Sequence, residues 1–219
     1  MKTDAKKTLL LIIDAQNDFC PGGALAVNDG DSIIAPINAL ARALVMKGGR
    51  AAATQDWHPA GHISFASSHK DKSPGIVIDT PLVKGQALWP DHCVQGTRGA
   101  DLYGSLDLKP VSLIIRKGFN IGLDSYSAFF ENDRKTSTGL EGWIKFLGIE
   151  TVIVGGLATD YCVFFSAMDS KNSGLNTIVA SDAVKGVGFP EGSVEAAVSK
   201  MESNGIVFLP NNEILDNLC

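Results

Sequence analysis

The sequence contains no apolar run near the ~20 residues that a membrane-spanning helix needs. Its longest N-terminal run, Leu9 to Ile13, stops at Asp14. That is too short for a signal-peptide core, and no small-residue cleavage site follows. The expectation is a cytoplasmic protein with no membrane partner. Cysteine is scarce as well. Cys20, Cys93, Cys162 and Cys219 make no CxxC pair and no dense framework, so free thiols are expected rather than disulfides. Positive charge does not dominate: 19 Lys and Arg stand against 24 Asp and Glu, a net −5, which argues against a nucleic-acid partner. There is no GxxxxGK[ST] and no GxGxxG after a strand, and Gly22-Gly23 makes neither, so nucleotide binding is not indicated. No block of like charges, internal repeat, low-complexity segment or linker is present.

What is present is aliphatic. Apolar residues make up 45% of the 219 positions but aromatics only 7%, which predicts an aliphatic core within one domain spanning 1–219. Thr8 to Ile13 is a continuous apolar run closed by Asp14, the pattern of a strand buried on both faces. Ile33, Ile37, Leu40 and Leu44 recur on one face of a helix over 32–47, with Asp31 or Ser32 as cap and Gly48-Gly49 as stop. Further strands are predicted over 51–54, 111–116, 151–155, 176–180 and 205–209, and helices over 139–147, 161–173 and 193–203. Between Trp57 and about Pro110 lies a long stretch without strong periodicity, and such stretches in compact domains are usually functional. Strand–helix alternation of this kind predicts a three-layer α/β/α fold around a mainly parallel sheet.

In open parallel sheets ligands bind beyond the carboxyl ends of the strands. Asp14, then Asp56 and His58, then Lys117, then Cys162 each fall at or just past the end of a predicted strand. Four consecutive strands therefore deliver reactive side chains to one edge. Cys162 falls in the first turn of a predicted helix that Thr159 or Asp160 can cap. There the helix dipole and free N–H groups are expected to lower its pKa from the free value of ~8.5 and to hold an oxyanion. The competing reading is a small buried apolar residue. Asp14 closes an apolar strand, so it must be paired, hydrogen-bonded or catalytic, and Lys117 can supply the charge. Asp56 and His58 point the same way if the chain is extended; His62 follows four residues later, and His92 lies in Trp89-Pro-Asp-His-Cys93. One carboxylate with two imidazoles suits a first-row divalent ion, although surface loops also carry such residues without one. Cys93 adjoins His92 and would point away in an extended segment, so a thiolate zinc site is discounted.

Six segments, taken in order, resemble a known family: Asp14-Ala-Gln-Asn-Asp-Phe19, Gln55-Asp-Trp-His-Pro59, Trp89-Pro-Asp-His-Cys93, Lys117-Gly118, Asp124-Ser-Tyr-Ser-Ala-Phe129 and Gly156-Leu-Ala-Thr-Asp-Tyr-Cys162. They look like the nicotinamidases (pyrazinamidases) among the isochorismatase-like cysteine hydrolases, over nearly the whole chain. The resemblance implies that fold, and an Asp14–Lys117–Cys162 triad that hydrolyses nicotinamide through a Cys thioester in NAD salvage, with pyrazinamide as a further substrate. It implies one divalent metal ion, zinc first and iron or manganese next, held by Asp56, His58 and His92, with His62 as a candidate further ligand. An aromatic pocket would map to Phe19, Trp89 and Tyr126. The oxyanion hole would use the N–H groups of Ala158 and Cys162, with a cis peptide before Ala158. Two rivals remain open: another amide or ureido hydrolase on the same scaffold, and a non-catalytic metal or thiol sensor. Monomer and homo-oligomer are not distinguished.

Overall fold

The computed structural model describes residues 2–219. In chain order the elements are β1 (Thr8–Ile13), α1 (Ile34–Met46), β2 (Arg50–Asp56), β3 (Val77–Ile78), β4 (Gln86–Ala87), β5 (Val111–Lys117), α2 (Leu140–Phe146), β6 (Thr151–Leu157), α3 (Phe164–Asn172), β7 (Asn176–Lys185), α4 (Ser193–Ser203), β8 (Val207–Leu209) and α5 (Asn211–Asn217). Six strands form one sheet in the order β5-β2-β1-β6-β7-β8, every neighbouring pair parallel. The chain builds outward from β1 to one edge, then returns and builds the other half from β6. β1 and β6 thus flank the point where strand order reverses, which is where such sheets leave a crevice.

The apolar run of β1 is buried at all six positions because helices cover both faces of the sheet. Leu10 and Ile12 pack with α1 residues Ile37, Leu40 and Leu44 and with Ile214 of α5. Leu9, Leu11 and Ile13 pack on the other face with Leu140 and Ile144 of α2, Ala167 of α3, and Ala197 and Met201 of α4. This is the expected α/β/α architecture. At about 25 cal/mol per Å² of apolar surface removed from water, these two layers are the main stabilising term. Among the described residues, no helix is long and apolar enough to cross a membrane.

Contact between β1 and β6 is unusually close at the reversal point. Gly156 pairs with Ile13 and has φ +131°, and a Cβ there would lie 2.0 Å from the Ile13 carbonyl oxygen. Only glycine allows the two strand ends to meet.

The structure departs from the sequence reading in several places away from the site. Neither Asp31 nor Ser32 caps α1: the helix is entered through a 3₁₀ turn at Gly30–Ile33, and the Ser32 hydroxyl donates to the Asp29 carbonyl. The 57–110 stretch holds a small antiparallel pair, β3 with β4. β7 runs five residues past the predicted Ala180, to Lys185. α5 was not predicted, because Ile214 and Leu215 are its only apolar residues and one turn of pattern does not establish a period.

Candidate active site

Asp14 follows β1 directly and adopts the left-handed conformation, φ +44°, which turns its side chain back over the sheet edge. Thr54 of β2 holds it: the Thr54 hydroxyl donates to Asp14 Oδ1 at 2.6 Å and accepts the Asp14 N–H at 3.0 Å. Lys117, the last residue of β5, is fully buried. Its Nζ lies 2.9 Å from Asp14 Oδ2, 2.5 Å from Asp56 Oδ1, 2.9 Å from the Ser125 carbonyl and 3.5 Å from Cys162 Sγ. Oxygen atoms of Asp14 and Asp56 and the sulfur of Cys162 all lie within 4.8 Å of one another. The three residues picked from strand ends are therefore in one buried cluster, with Asp56 as its fourth member.

Electrostatics in this cluster follow from burial and from one shared cation. Burial alone would lower the Lys117 pKa, but Asp14, Asp56 and Cys162 together hold it well above its ordinary value, so the ammonium persists. Burial raises the Asp14 pKa and the charge of Asp56 adds to that, against the pull of Lys117. Burial also favours protonated Asp56, but Lys117 and His58 outweigh it and hold that carboxyl below the usual range.

Cys162 corrects an expectation. Its thiol is pushed well above the ordinary value, by burial first, with Lys117 opposing and Asp14 and Asp56 reinforcing. The helix does not begin at this residue. Thr159–Val163 forms a π turn, in which the Ala158 carbonyl accepts the N–H groups of Tyr161 and Val163, and α3 starts only at Phe164. Neither Thr159 nor Asp160 caps it. The thiol therefore rests protonated beside a carboxyl whose pKa is also raised. The peptide between Leu157 and Ala158 is cis, as the family resemblance implies.

The second cluster adjoins the first. One donor atom each from Asp56, His58 and His92 lies within 4.8 Å of the others, and all three residues are buried. Gln16 fixes the Asp56 peptide from both sides, accepting its N–H at 2.8 Å and donating to its carbonyl at 2.8 Å. The His58 Nδ1 faces the Gly118 carbonyl and the His92 Nδ1 faces the Pro90 carbonyl, both at 2.8 Å. A carbonyl can only accept, so each Nδ1 carries hydrogen and Nε2 is the nitrogen left to ligate an ion when the ring is neutral, the arrangement that metal-ligating histidines adopt. Gly118, φ +63°, makes room for this: a Cβ there would lie 2.4 Å from His58 Cε1. The residues thus fit a divalent ion.

His62 is placed differently. Its ring stacks on His58 at 4.3 Å. Its Nδ1 bonds the Ser64 hydroxyl at 2.7 Å, and its Nε2 faces the carbonyls of Asn120 at 3.1 Å and Leu123 at 3.3 Å. It groups with His58 and Asp124 rather than with Asp56 and His92. Cys93 is fully buried but adopts φ +46°, so its segment is not extended as assumed, and it joins neither group of potential ligands.

Both clusters open on one cavity, whose walls include Phe19, Trp89, Tyr126, Ala158 and Cys162. Trp89 Nε1 donates to the Tyr126 hydroxyl at 3.0 Å, and both rings meet Tyr161 edge-on. Residues 8–212 match the isochorismatase domain. The chain belongs to the isochorismatase family. A nicotinamidase of Acinetobacter baylyi is 47% identical over 211 residues, covering 96% of this chain and 96% of its own. The solved structure of a nicotinamidase–pyrazinamidase from Acinetobacter baumanii superposes with TM-score 0.91 at 44% identity, covering 95% of this chain and 98% of that one. A pyrazinamidase of Pyrococcus horikoshii, solved in complex with zinc, superposes with TM-score 0.77 at 33% identity, covering 93% and 99%.

This isochorismatase-family cavity also contains residues that the sequence reading did not select: Leu25, Asp124, Tyr161 and Val187. Asp124 and Tyr161 lie inside recognised segments, so their position was a usable signal. Val187 arrives from the loop after β7, where nothing in the sequence marks it.

Proposed function

We propose that this protein hydrolyses nicotinamide to nicotinate and ammonia, with pyrazinamide as a second substrate. The observation that carries the reading is a buried Cys–Asp–Lys cluster beside a three-donor metal set on one aromatic-walled cavity. Close similarity to nicotinamidases supports the choice of substrate.

In this mechanism Asp14 takes the proton from the Cys162 thiol as the sulfur attacks the carboxamide carbon. The C=O π electrons move to oxygen, and the oxyanion is held by the N–H groups of Ala158 and Cys162. Asp14 returns the proton to the departing nitrogen, the C–N bond breaks, and ammonia leaves a thioester. Water then adds to the thioester, giving its proton to Asp14. The C–S bond breaks as the C=O bond reforms, Asp14 returns the proton to Cys162, and nicotinic acid leaves and ionises to nicotinate in water. Lys117 keeps its anionic neighbours in place throughout. Phe19, Trp89 and Tyr126 hold the ring. Asp56, His58 and His92 would hold one divalent ion, zinc by preference and iron or manganese otherwise, supplying a Lewis-acid contact that orients the pyridine nitrogen. We assign the protein to the reducing cytoplasm, because the mechanism needs a free thiol.

The test is direct. Purified, metal-loaded protein mixed with nicotinamide should release ammonia and nicotinate in equal amounts. Absence of ammonia, or release from carbamoyl or ureido compounds instead, would overturn the reading.

A further inference from the structure

The carboxylate of Asp160 is buried, yet among the described residues it forms no ion pair with Lys, Arg or His. It is satisfied by three neutral donors instead. Oδ1 accepts the Val187 N–H at 2.9 Å, and Oδ2 accepts the Gly188 N–H at 3.0 Å and the Ser193 hydroxyl at 2.6 Å. Successive N–H groups with Gly188 at φ +70° form a concavity of the kind that binds anions. Ser193 opens α4, whose N-terminal dipole also favours negative charge. Asp160 is the second residue of the Thr159–Val163 turn, between Ala158 and Cys162. A second tie runs beside it, from the Tyr161 hydroxyl to the Phe189 carbonyl at 2.6 Å.

We propose that Asp160 is a positioning residue for the oxyanion hole: its carboxylate locks the turn that follows the Ala158 donor and carries the Cys162 donor onto the 187–193 segment. The inference rests on the amide-hydrolysis reading above, because that reading assigns the donors. Donors act at full strength only when aimed at the place where charge develops, and small displacements there cost large factors in rate. The carboxylate suits this task because all its donors are fixed, two by backbone and one by the first turn of a helix. An asparagine has the same shape but only one acceptor oxygen. Its NH₂ group would face an N–H or O–H donor, so at least one of the three bonds is lost and the turn is released.

The experiment compares wild type, Asp160→Asn and Ser193→Ala, all metal-loaded, by calorimetric titration with two ligands. Pyridine-3-carbaldehyde reports on the hole. The thiol adds across its carbonyl, forming an S–C bond and breaking the C=O π bond. The thiol proton goes to Asp14 and the charged oxygen lies on the donors. 3-Methylpyridine fills the same ring site and places no oxygen in the hole. Asp160→Asn should weaken the aldehyde at least about 30-fold and 3-methylpyridine less than about threefold, with kcat for nicotinamide falling in parallel and KM little changed. Ser193→Ala, which removes a single bond, should show a smaller loss confined to the aldehyde. It carries the same test if the first variant does not fold. Equal weakening of both ligands, or of neither, would overturn the proposal and leave Asp160 as an anchor of the pocket wall. Ammonia release by wild type is read separately: its absence would sink the amidase reading, while the ratio of the two affinities still decides the placement of Asp160.

Discussion

Asp14 and Asp56 share one lysine, yet the two halves of the site that they anchor are chemically opposite. On the Asp14 side the neighbours are a threonine hydroxyl and a thiol, and burial leaves the carboxyl raised. On the Asp56 side the neighbours are His58 and His92, and the carboxyl is held low. Where two titratable groups are driven apart in this way, the raised one is fit to exchange a proton and the lowered one to remain an anion. The same cation produces both results because what differs is the company on the far side of each carboxylate. In the proposed mechanism the base therefore belongs with the nucleophile and the permanent anion with the imidazoles.

The sharpest break in this comparison is at the thiol. Cys162→Ala should lower turnover on the order of 10⁴-fold or more while leaving metal content and melting temperature near wild type. Near-normal ammonia release from the variant would remove the thiol half altogether. The metal half is separated from it by benzamide, which has the carboxamide but no ring nitrogen. Packing by Phe19 and Trp89 cannot tell rings of nearly equal size apart. A site that ligates a polar atom rejects the analogue lacking it by up to ~10⁴ in kcat/KM. Chelation should depress nicotinamide and pyrazinamide hydrolysis together. Equal kcat/KM for nicotinamide and benzamide in the loaded protein would refute ring-nitrogen contact.

A paired substitution tests the division of labour itself. Asp14→Asn should lose about 10²- to 10⁴-fold in kcat and keep its metal, since an amide cannot take the thiol proton. Asp56→Asn should lose the metal, and His58→Ala and His92→Ala should behave likewise. Metal analysis of the variants decides it: a metal-free Asp14→Asn or a fully loaded Asp56→Asn would reverse the assignment.

Glu131 supplies the smallest effect and a control, a carboxyl largely withdrawn from water with no lysine beside it. Burial, with Asp133 and Asp124 nearby, raises its pKa from 4.5 to about 7, and its Oε2 has no hydrogen-bond partner among the described residues. The folded state thus binds this proton more tightly than the unfolded chain. Stability should be fully present below about pH 4.5, decline as pH rises towards 7, and level off above. Allowing for solvent screening the loss is of order 1 kcal/mol. Thermal melts across this range should be flatter for Glu131→Gln than for wild type, and parallel curves would remove Glu131 as the cause.

Much of this was legible before any coordinates. Apolar runs that end in a charged residue identified β1 and the burial of both its faces. The rule that ligands gather at strand ends brought Asp14, Lys117 and Cys162 together without knowledge of the family. What was not legible has specific causes. The pKa of Cys162 depends on two carboxylates from other strands and on burial, neither of which a helix-start pattern reveals. The spacing of His62 does not reveal that its ring is held by Ser64, Asn120 and Leu123 and grouped with His58 and Asp124. Asp160 read as a cap because it precedes a helix, and its actual donors lie 27 to 33 residues further on.

The bare backbone at Gly156 has a wider reach than its size suggests. Asp14 is the residue that follows Ile13, and Cys162 stands a few residues beyond β6, so in the proposed mechanism the path of the proton between them depends on where these two strands touch. At this contact Gly156 presents only hydrogen where a Cβ would meet the Ile13 carbonyl. One added methyl would act as a shim, spreading the strand ends and lengthening the proton's path while every reacting group kept its identity. Loss of activity can therefore arise from a substitution that alters no charge, removes no hydrogen-bonding group and touches neither partner in the transfer.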